Sequence, residues 1–248
     1  MHRRLCTAWH VGFMVLSLLA TAAPADAAPR VLFLGNSLTA TNDLPALVAA
    51  MATLQGVALE TEMSAPGGYA LEDHWQDGAT ARLASGRFTV VILQQGPSTQ
   101  DDSRAHLRAW TARWAEAARQ AGARPALFMV WPREGQPRGF ALVGRSYREA
   151  AAAAGIALFP VGETWAAALE KAPGLSLYTD VLHPTRAGSF LAAMVIARRL
   201  VALDPVRVPP ELPLAGGRYA ITPEELALFR SLVTALPAAN LLTRDLTP

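Results

Sequence analysis

The sequence predicts an α/β fold, a three-layer α/β/α sandwich on a flavodoxin-like parallel sheet of about five strands. Three observations point there. Short apolar runs alternate with helix-patterned stretches, the arrangement of a parallel sheet covered by helices on both faces. Glycines and capping residues stand between the two kinds of segment. The 248 residues are 52% hydrophobic and 17% charged, which suits one well-buried domain and not a disordered chain.

In chain order, strands are expected at Arg30 to Gly35, Val57 to Met63, Thr89 to Gln94, Ala126 to Trp131 and Ile156 to Val161. Helices are expected at Leu44 to Leu54, Arg104 to Ala121, Phe140 to Ala154 and Thr185 to Leu203. Asp43 can cap the first helix, with Pro45 in its first turn. Gly122 and Gly155 fall where helix C-caps belong, each just ahead of an apolar strand. Asp204 to Gly217 is rich in proline and glycine and lacks periodicity, which predicts a surface connection. Thr222-Pro223-Glu224-Glu225 then opens a final helix with a capping threonine, proline at the first position and glutamate three residues on. No repeat, low-complexity stretch or second domain is legible, so one domain is expected over 28–248.

Residues 1–27 read as a targeting segment. Met1-His2-Arg3-Arg4 is a basic start, Val11 to Ala20 is an apolar core, and Ala25-Asp26-Ala27 gives a small-x-small processing site. A membrane span needs about 20 apolar residues, and this run is shorter. Cleavage after Ala27 is therefore expected, leaving a periplasmic or secreted protein with no stable membrane insertion. Cys6 is the only cysteine and lies ahead of the cleavage point, so no disulfide or thiol is expected in the mature chain. The net charge of +2, with no run of lysine or arginine, argues against a nucleic-acid partner.

The chemistry lies in two distant segments. Val31-Leu32-Phe33-Leu34 runs into Gly35-Asn36-Ser37-Leu38-Thr39, a buried strand followed by a tight turn that raises a serine hydroxyl at the carboxyl edge of the sheet. Asp180 and His183 follow the last strand, a carboxylate and an imidazole three residues apart. A serine, a base and an orienting acid are the parts that nucleophilic acyl transfer needs. The plainer alternatives are helix caps at Asn36, Ser37 or Thr39 and a capping aspartate beside a solvated histidine. His106, in a polar segment that opens a helix, is expected at the surface. Glu72, His74 and Trp75 either line the pocket or form a surface helix start. Trp131 is either a stacking wall for a sugar or a core residue. His74, Asp73 and Asp77 have no recognisable metal-ligand spacing.

These blocks resemble the SGNH/GDSL hydrolases. Gly35-Asn36-Ser37-Leu38 is similar to their first block, with asparagine where many members carry aspartate. Ser64-Ala65-Pro66-Gly67-Gly68 is similar to the second, and Asp180-x-x-His183-Pro184 to the last. The resemblance implies a serine esterase with Ser37 as nucleophile, His183 as base, Asp180 as orienting acid and the amides of Ser37 and Gly68 in the oxyanion hole. One block departs: the family's Gly-x-Asn-Asp is replaced by Leu93-Gln94-Gln95-Gly96-Pro97-Ser98. A glutamine offers the same donor on a longer arm, and spacing does not choose between Gln94 and Gln95. The Leu-Gln block looks like that of an exported bacterial branch. The implied substrate is an O-acyl ester, with acetylated carbohydrate the leading case, and no cofactor is implied. Acyl transfer to a polysaccharide and non-catalytic glycan binding are the alternatives. A nucleotide-binding protein ranks last, since the first turn lacks a phosphate-binding glycine pattern.

Overall fold

In the computed structural model, which describes residues 28–242, the five expected apolar runs form one parallel sheet. The leader expected at 1–27 lies outside the described residues. The chain runs β1 (Arg30–Leu34), α1 (Ser37–Ala40), a 3-10 turn (Thr41–Asp43), α2 (Leu44–Thr53), β2 (Glu60–Ser64), α3 (Leu71–Gln76), α4 (Ala79–Leu83), β3 (Val90–Leu93) and α5 (Asp101–Gln120). It continues through β4 (Arg124–Phe128), α6 (Pro137–Ala154), β5 (Ala157–Phe159), α7 (Val161–Lys171), α8 (Arg186–Leu200), β6 (Glu211–Leu214), β7 (Gly217–Ala220) and α9 (Pro223–Thr234). The sheet order is β2-β1-β3-β4-β5, the flavodoxin-like order.

Right-handed crossovers assign the layers. β1 to β2 steps one way, which puts α2 on one face; every later crossover steps the other way, which puts α3 to α6 on the opposite face. Two helix layers leave no polar face on the central strands. That is why β1, β3 and β4 read as continuous apolar runs and are buried almost throughout. β2, at the edge, is half-exposed and reads Glu-Thr-Glu-Met-Ser.

Three departures from expectation have local causes. Val161 was expected to end a strand but opens α7, whose buried Val161, Trp165 and Ala168 follow helical spacing. α3 and α4 are too short to carry a periodic signal. The connection after Asp204 is not merely a surface loop: β6 and β7 pair as an antiparallel hairpin, and Val208, Leu212 and Tyr219 are buried. Pro213 within β6 breaks the alternation that would have revealed it. The final helix starts as expected, with Thr222 Oγ1 accepting from Glu225 N–H and the Glu225 carboxylate accepting from Thr222 N–H.

Gly162, in the first turn of α7, donates its N–H to the Met129 carbonyl at 3.1 Å, and a Cβ there would overlap the Val130 backbone oxygen. Gly162→Ala is expected to lower unfolding free energy by roughly 3 kcal/mol, the upper range for overpacking. A urea melt within about 0.5 kcal/mol of the parent would contradict this close approach.

Candidate functional site

The turn after β1 is held from beneath by buried side chains. Gly35 donates to the Ser64 carbonyl at 3.0 Å and continues the β1–β2 ladder by one residue. Its missing side chain leaves room for Thr39 Oγ1 and Gln94 Oε1, which occupy the space a Cβ would need. Asn36 is the N-cap of α1: its Oδ1 accepts from Leu38 N–H at 3.1 Å, and its Nδ2 donates to the Tyr69 carbonyl at 3.0 Å. Gln94 Oε1 accepts from Asn36 N–H at 2.9 Å and from the Thr39 hydroxyl at 2.7 Å. His74 is buried under the same turn, and its Nε2 donates to the Gly35 carbonyl at 2.7 Å. Burial holds the His74 pKa below the usual imidazole value, which keeps the ring neutral in that role. Ser37 is thereby the first residue of α1, at the point where strand order reverses between β1 and β3.

The segment carrying Asp180 and His183 is equally pinned. Tyr178 and Pro184 form an antiparallel bridge, and Thr179 N–H donates to the His183 carbonyl at 2.9 Å. Trp131 Nε1 donates to the Leu182 carbonyl at 2.9 Å, and Glu134 N–H to the Val181 carbonyl at 2.9 Å. Trp131 itself stacks on Trp165 with centroids 3.7 Å apart, and Trp165 meets Tyr178 edge-on. Besides the catalytic groups themselves, Asn42 joins the two segments. Asn42 Nδ2 lies 3.2 Å from the Pro184 carbonyl, 3.1 Å from that of Thr185 and 3.0 Å from Ser189 Oγ. Its left-handed backbone, with φ of 60°, kinks the chain between α1 and α2 so that the carboxamide can reach.

His183 Nδ1 lies 2.8 Å from Asp180 Oδ2, and its Nε2 lies 2.9 Å from Ser37 Oγ. The other carboxylate oxygen of Asp180 accepts from Leu182 N–H at 2.6 Å and His183 N–H at 2.8 Å. The backbone N–H of His183, its ring and the N–H of Leu182 together lower the Asp180 pKa from 3.8 to about 2. The carboxylate is thus ionised at neutral pH and can only accept, so His183 carries its hydrogen on Nδ1. Nε2 is then free to accept from the Ser37 hydroxyl. The linkage has a definite sign. The folded-state pKa lies below the unfolded one, so these hydrogen bonds stabilise the loop above about pH 4 and are lost as pH falls toward about 2.

A cleft of about 580 Å³ opens over Ser37, lined by Leu38, Gly68, Tyr69, Gln95, Pro97 and Leu182 among others. The N–H groups of Ser37 and Gly68 have no acceptor among the described residues. The two glutamines separate. Gln94 is fully engaged: its Nε2 donates to Asn36 Oδ1 at 3.1 Å and to the Gln95 carbonyl at 2.8 Å, and it does not line the cleft. Gln95 does line it; its Oε1 accepts from Leu71 N–H at 3.1 Å and its Nε2 lies 3.3 Å from Ser98 Oγ. Tyr147, buried in α6, donates to the Gln95 and Gly96 carbonyls and fixes this loop. Both tryptophans expected at the substrate are elsewhere. Trp131 is fully buried beneath the His183 loop, and Trp75 packs against Trp110 and Trp114 away from the cleft. Indole area is better satisfied in the core. His106, expected at the surface, is half-exposed, lines the cleft and pairs with Glu72. The missed signal was topological, because the start of the helix after β3 must lie at the same sheet edge as Ser37.

No protein-family model matches the chain, and no curated protein matches it. Solved structures do. A protein of Slackia heliotrinireducens described as a candidate SGNH hydrolase is 29% identical, with TM-score 0.58, over 69% of this chain and 98% of its own. A DUF4886 family protein from Bacteroides uniformis gives TM-score 0.65 at 17% identity over 83% and 93%. An acetyl xylan esterase gives 0.55 at 13% identity over 67% and 97%. The chain has the fold of the SGNH/GDSL hydrolases. Its structural neighbours include hydrolases, lipases and acetyl xylan esterases of that fold.

Gln94→Ala strands the buried Asn36 N–H and Thr39 hydroxyl and is expected to cost roughly 3 kcal/mol of stability. Chemical denaturation that shows a loss under about 1 kcal/mol would contradict its supporting role.

Proposed function

We propose that this chain is an exported serine esterase that hydrolyses O-acyl esters, with acetylated carbohydrate as the favoured class. The observation that carries the proposal is the hydrogen-bonded series from Asp180 through His183 to Ser37 at the mouth of a cleft. The acetyl xylan esterase among the structural neighbours motivates the substrate class, and the leader expected at 1–27 motivates export.

Ser37 Oγ attacks the acyl carbon while His183 Nε2 takes its proton. The negative charge that develops on the former carbonyl oxygen is held by the N–H groups of Ser37 and Gly68 and by the free hydrogen of Gln95 Nε2. Asp180 steadies the imidazolium that forms. His183 then returns the proton to the leaving alcohol oxygen, and the acyl group stays on Ser37. Water, deprotonated by the same nitrogen, attacks that ester, and a second collapse releases the carboxylic acid and restores the serine. Gln95 takes the oxyanion role because it faces the cleft with one N–H to spare, whereas Gln94 has spent both.

A fluorophosphonate probe is expected to label the parent chain and not Ser37→Ala, and p-nitrophenyl acetate turnover should disappear with the label. Labelling of the variant at the parental rate would reject the nucleophile. Asp180→Asn presents an N–H to His183 Nδ1 and imposes the wrong tautomer, so kcat should drop about 10⁴-fold. A kcat within about tenfold of the parent in His183→Ala would remove His183 as base.

A further inference from the structure

The cleft has a second wall that the hydrolytic chemistry does not use. It is formed by Ser98 and by Asp102, Ser103 and His106 from the first turns of α5. His106 Nε2 lies 2.9 Å from Glu72 Oε2, a side chain of α3. A carboxylate only accepts, so the hydrogen of the neutral ring sits on Nε2 and Nδ1 is left with an open lone pair. Nδ1 has no hydrogen-bond partner among the described residues. Trp110, one turn further along α5, stands beside the ring with centroids 6.1 Å apart, and Glu72 holds Nε2. The outcome is an oriented acceptor on a cleft wall. Asp102 adds a carboxylate on the same wall, with Oδ1 engaged by Ser103 N–H.

From this wall we infer that His106, oriented by Glu72, and Asp102 form a subsite that accepts hydrogen bonds from the hydroxyl groups of a neutral, polyhydroxylated alcohol part. The inference deepens the esterase reading and rests on it for the chemistry at Ser37. The lining residues decide the ligand class. None is lysine or arginine, so phosphate- or carboxylate-bearing alcohols find no counter-charge and meet Asp102 instead. Tyr69 is the single Phe, Tyr or Trp among them, and one ring is not the cage that quaternary ammonium groups require. Acceptors without cations or a cage match O–H donors, as on a sugar. The apolar lining residues Leu38 and Leu182, sequence neighbours of Ser37 and His183, are left for the acyl methyl.

The test separates binding from catalysis. Xylotriose is titrated calorimetrically into Ser37→Ala protein, alone and combined with His106→Ala or His106→Asn. Asparagine places an acceptor oxygen near the position of Nδ1. Kd is expected to rise about tenfold with His106→Ala, the upper value of one neutral hydrogen bond, and to recover to within about threefold with His106→Asn. Circular dichroism of each variant establishes folding. Absence of xylotriose binding to Ser37→Ala protein overturns the subsite, as does an unchanged Kd in His106→Ala or equal weakening in both His106 variants. Tighter binding of acetylcholine than of xylotriose also overturns it. Turnover of p-nitrophenyl acetate by the parent chain tests the esterase reading alone, so the two can fail separately.

Discussion

The hydrogen bond between Ser37 Oγ and His183 Nε2, 2.9 Å long, joins groups 146 positions apart, and the rest of the site exists to keep it. Neither partner is held by its own element alone. α1 is only four residues long, and the Asp180–His183 segment has no regular structure beyond one bridge. Precision therefore comes from buried and half-buried polar groups that fix backbone atoms. Gln94 and Asn36 hold the turn before Ser37, Trp131 holds the Leu182 carbonyl, and Asn42 ties the serine-bearing helices to the carbonyls after His183. Such groups are costly to bury unpaired, so each is satisfied or the arrangement fails.

The same reasoning explains the unusual third block. The two glutamines divide structure from surface. Gln94 accepts from a backbone N–H, which fixes its oxygen, and its nitrogen is used by Asn36 and Gln95. Gln95 is fixed by Leu71 N–H in the same manner but faces the cleft. Asn36 has the donor that the Tyr69 carbonyl accepts, and an aspartate carboxylate in its place would lack it. Asparagine at 36 and glutamine at 94 thus fit each other as a matched neutral pair.

Much of this was legible in sequence because it depends on local signals. β1 and β3 are apolar runs with buried-strand composition, Thr222 to Glu225 spells its own cap, Ser37 stands in a short block at the end of β1, and His183 stands in a short block just ahead of α8. What escaped depends on distance. Asn42 reads as a turn residue, and nothing local says that its amide reaches 142 residues along the chain. Trp131 reads equally well as core or as sugar platform; only the stacked Trp165 and the Leu182 carbonyl decide it. His106 looked like a helix-start surface residue until the sheet order placed α5 beside β1's turn. His74, similarly, is polar in sequence but buried because the Gly35 carbonyl offers a partner.

On the proposed mechanism one cleft gathers a serine, its base and three hydrogen-bond donors for a single developing charge. A crystal structure of the protein after reaction with a methyl fluorophosphonate tests it most directly. Phosphorus is expected bonded to Ser37 Oγ, with one phosphonyl oxygen about 3 Å from the N–H groups of Ser37 and Gly68 and from Gln95 Nε2. An adduct on another side chain, or an oxygen turned to solvent away from all three donors, would contradict it.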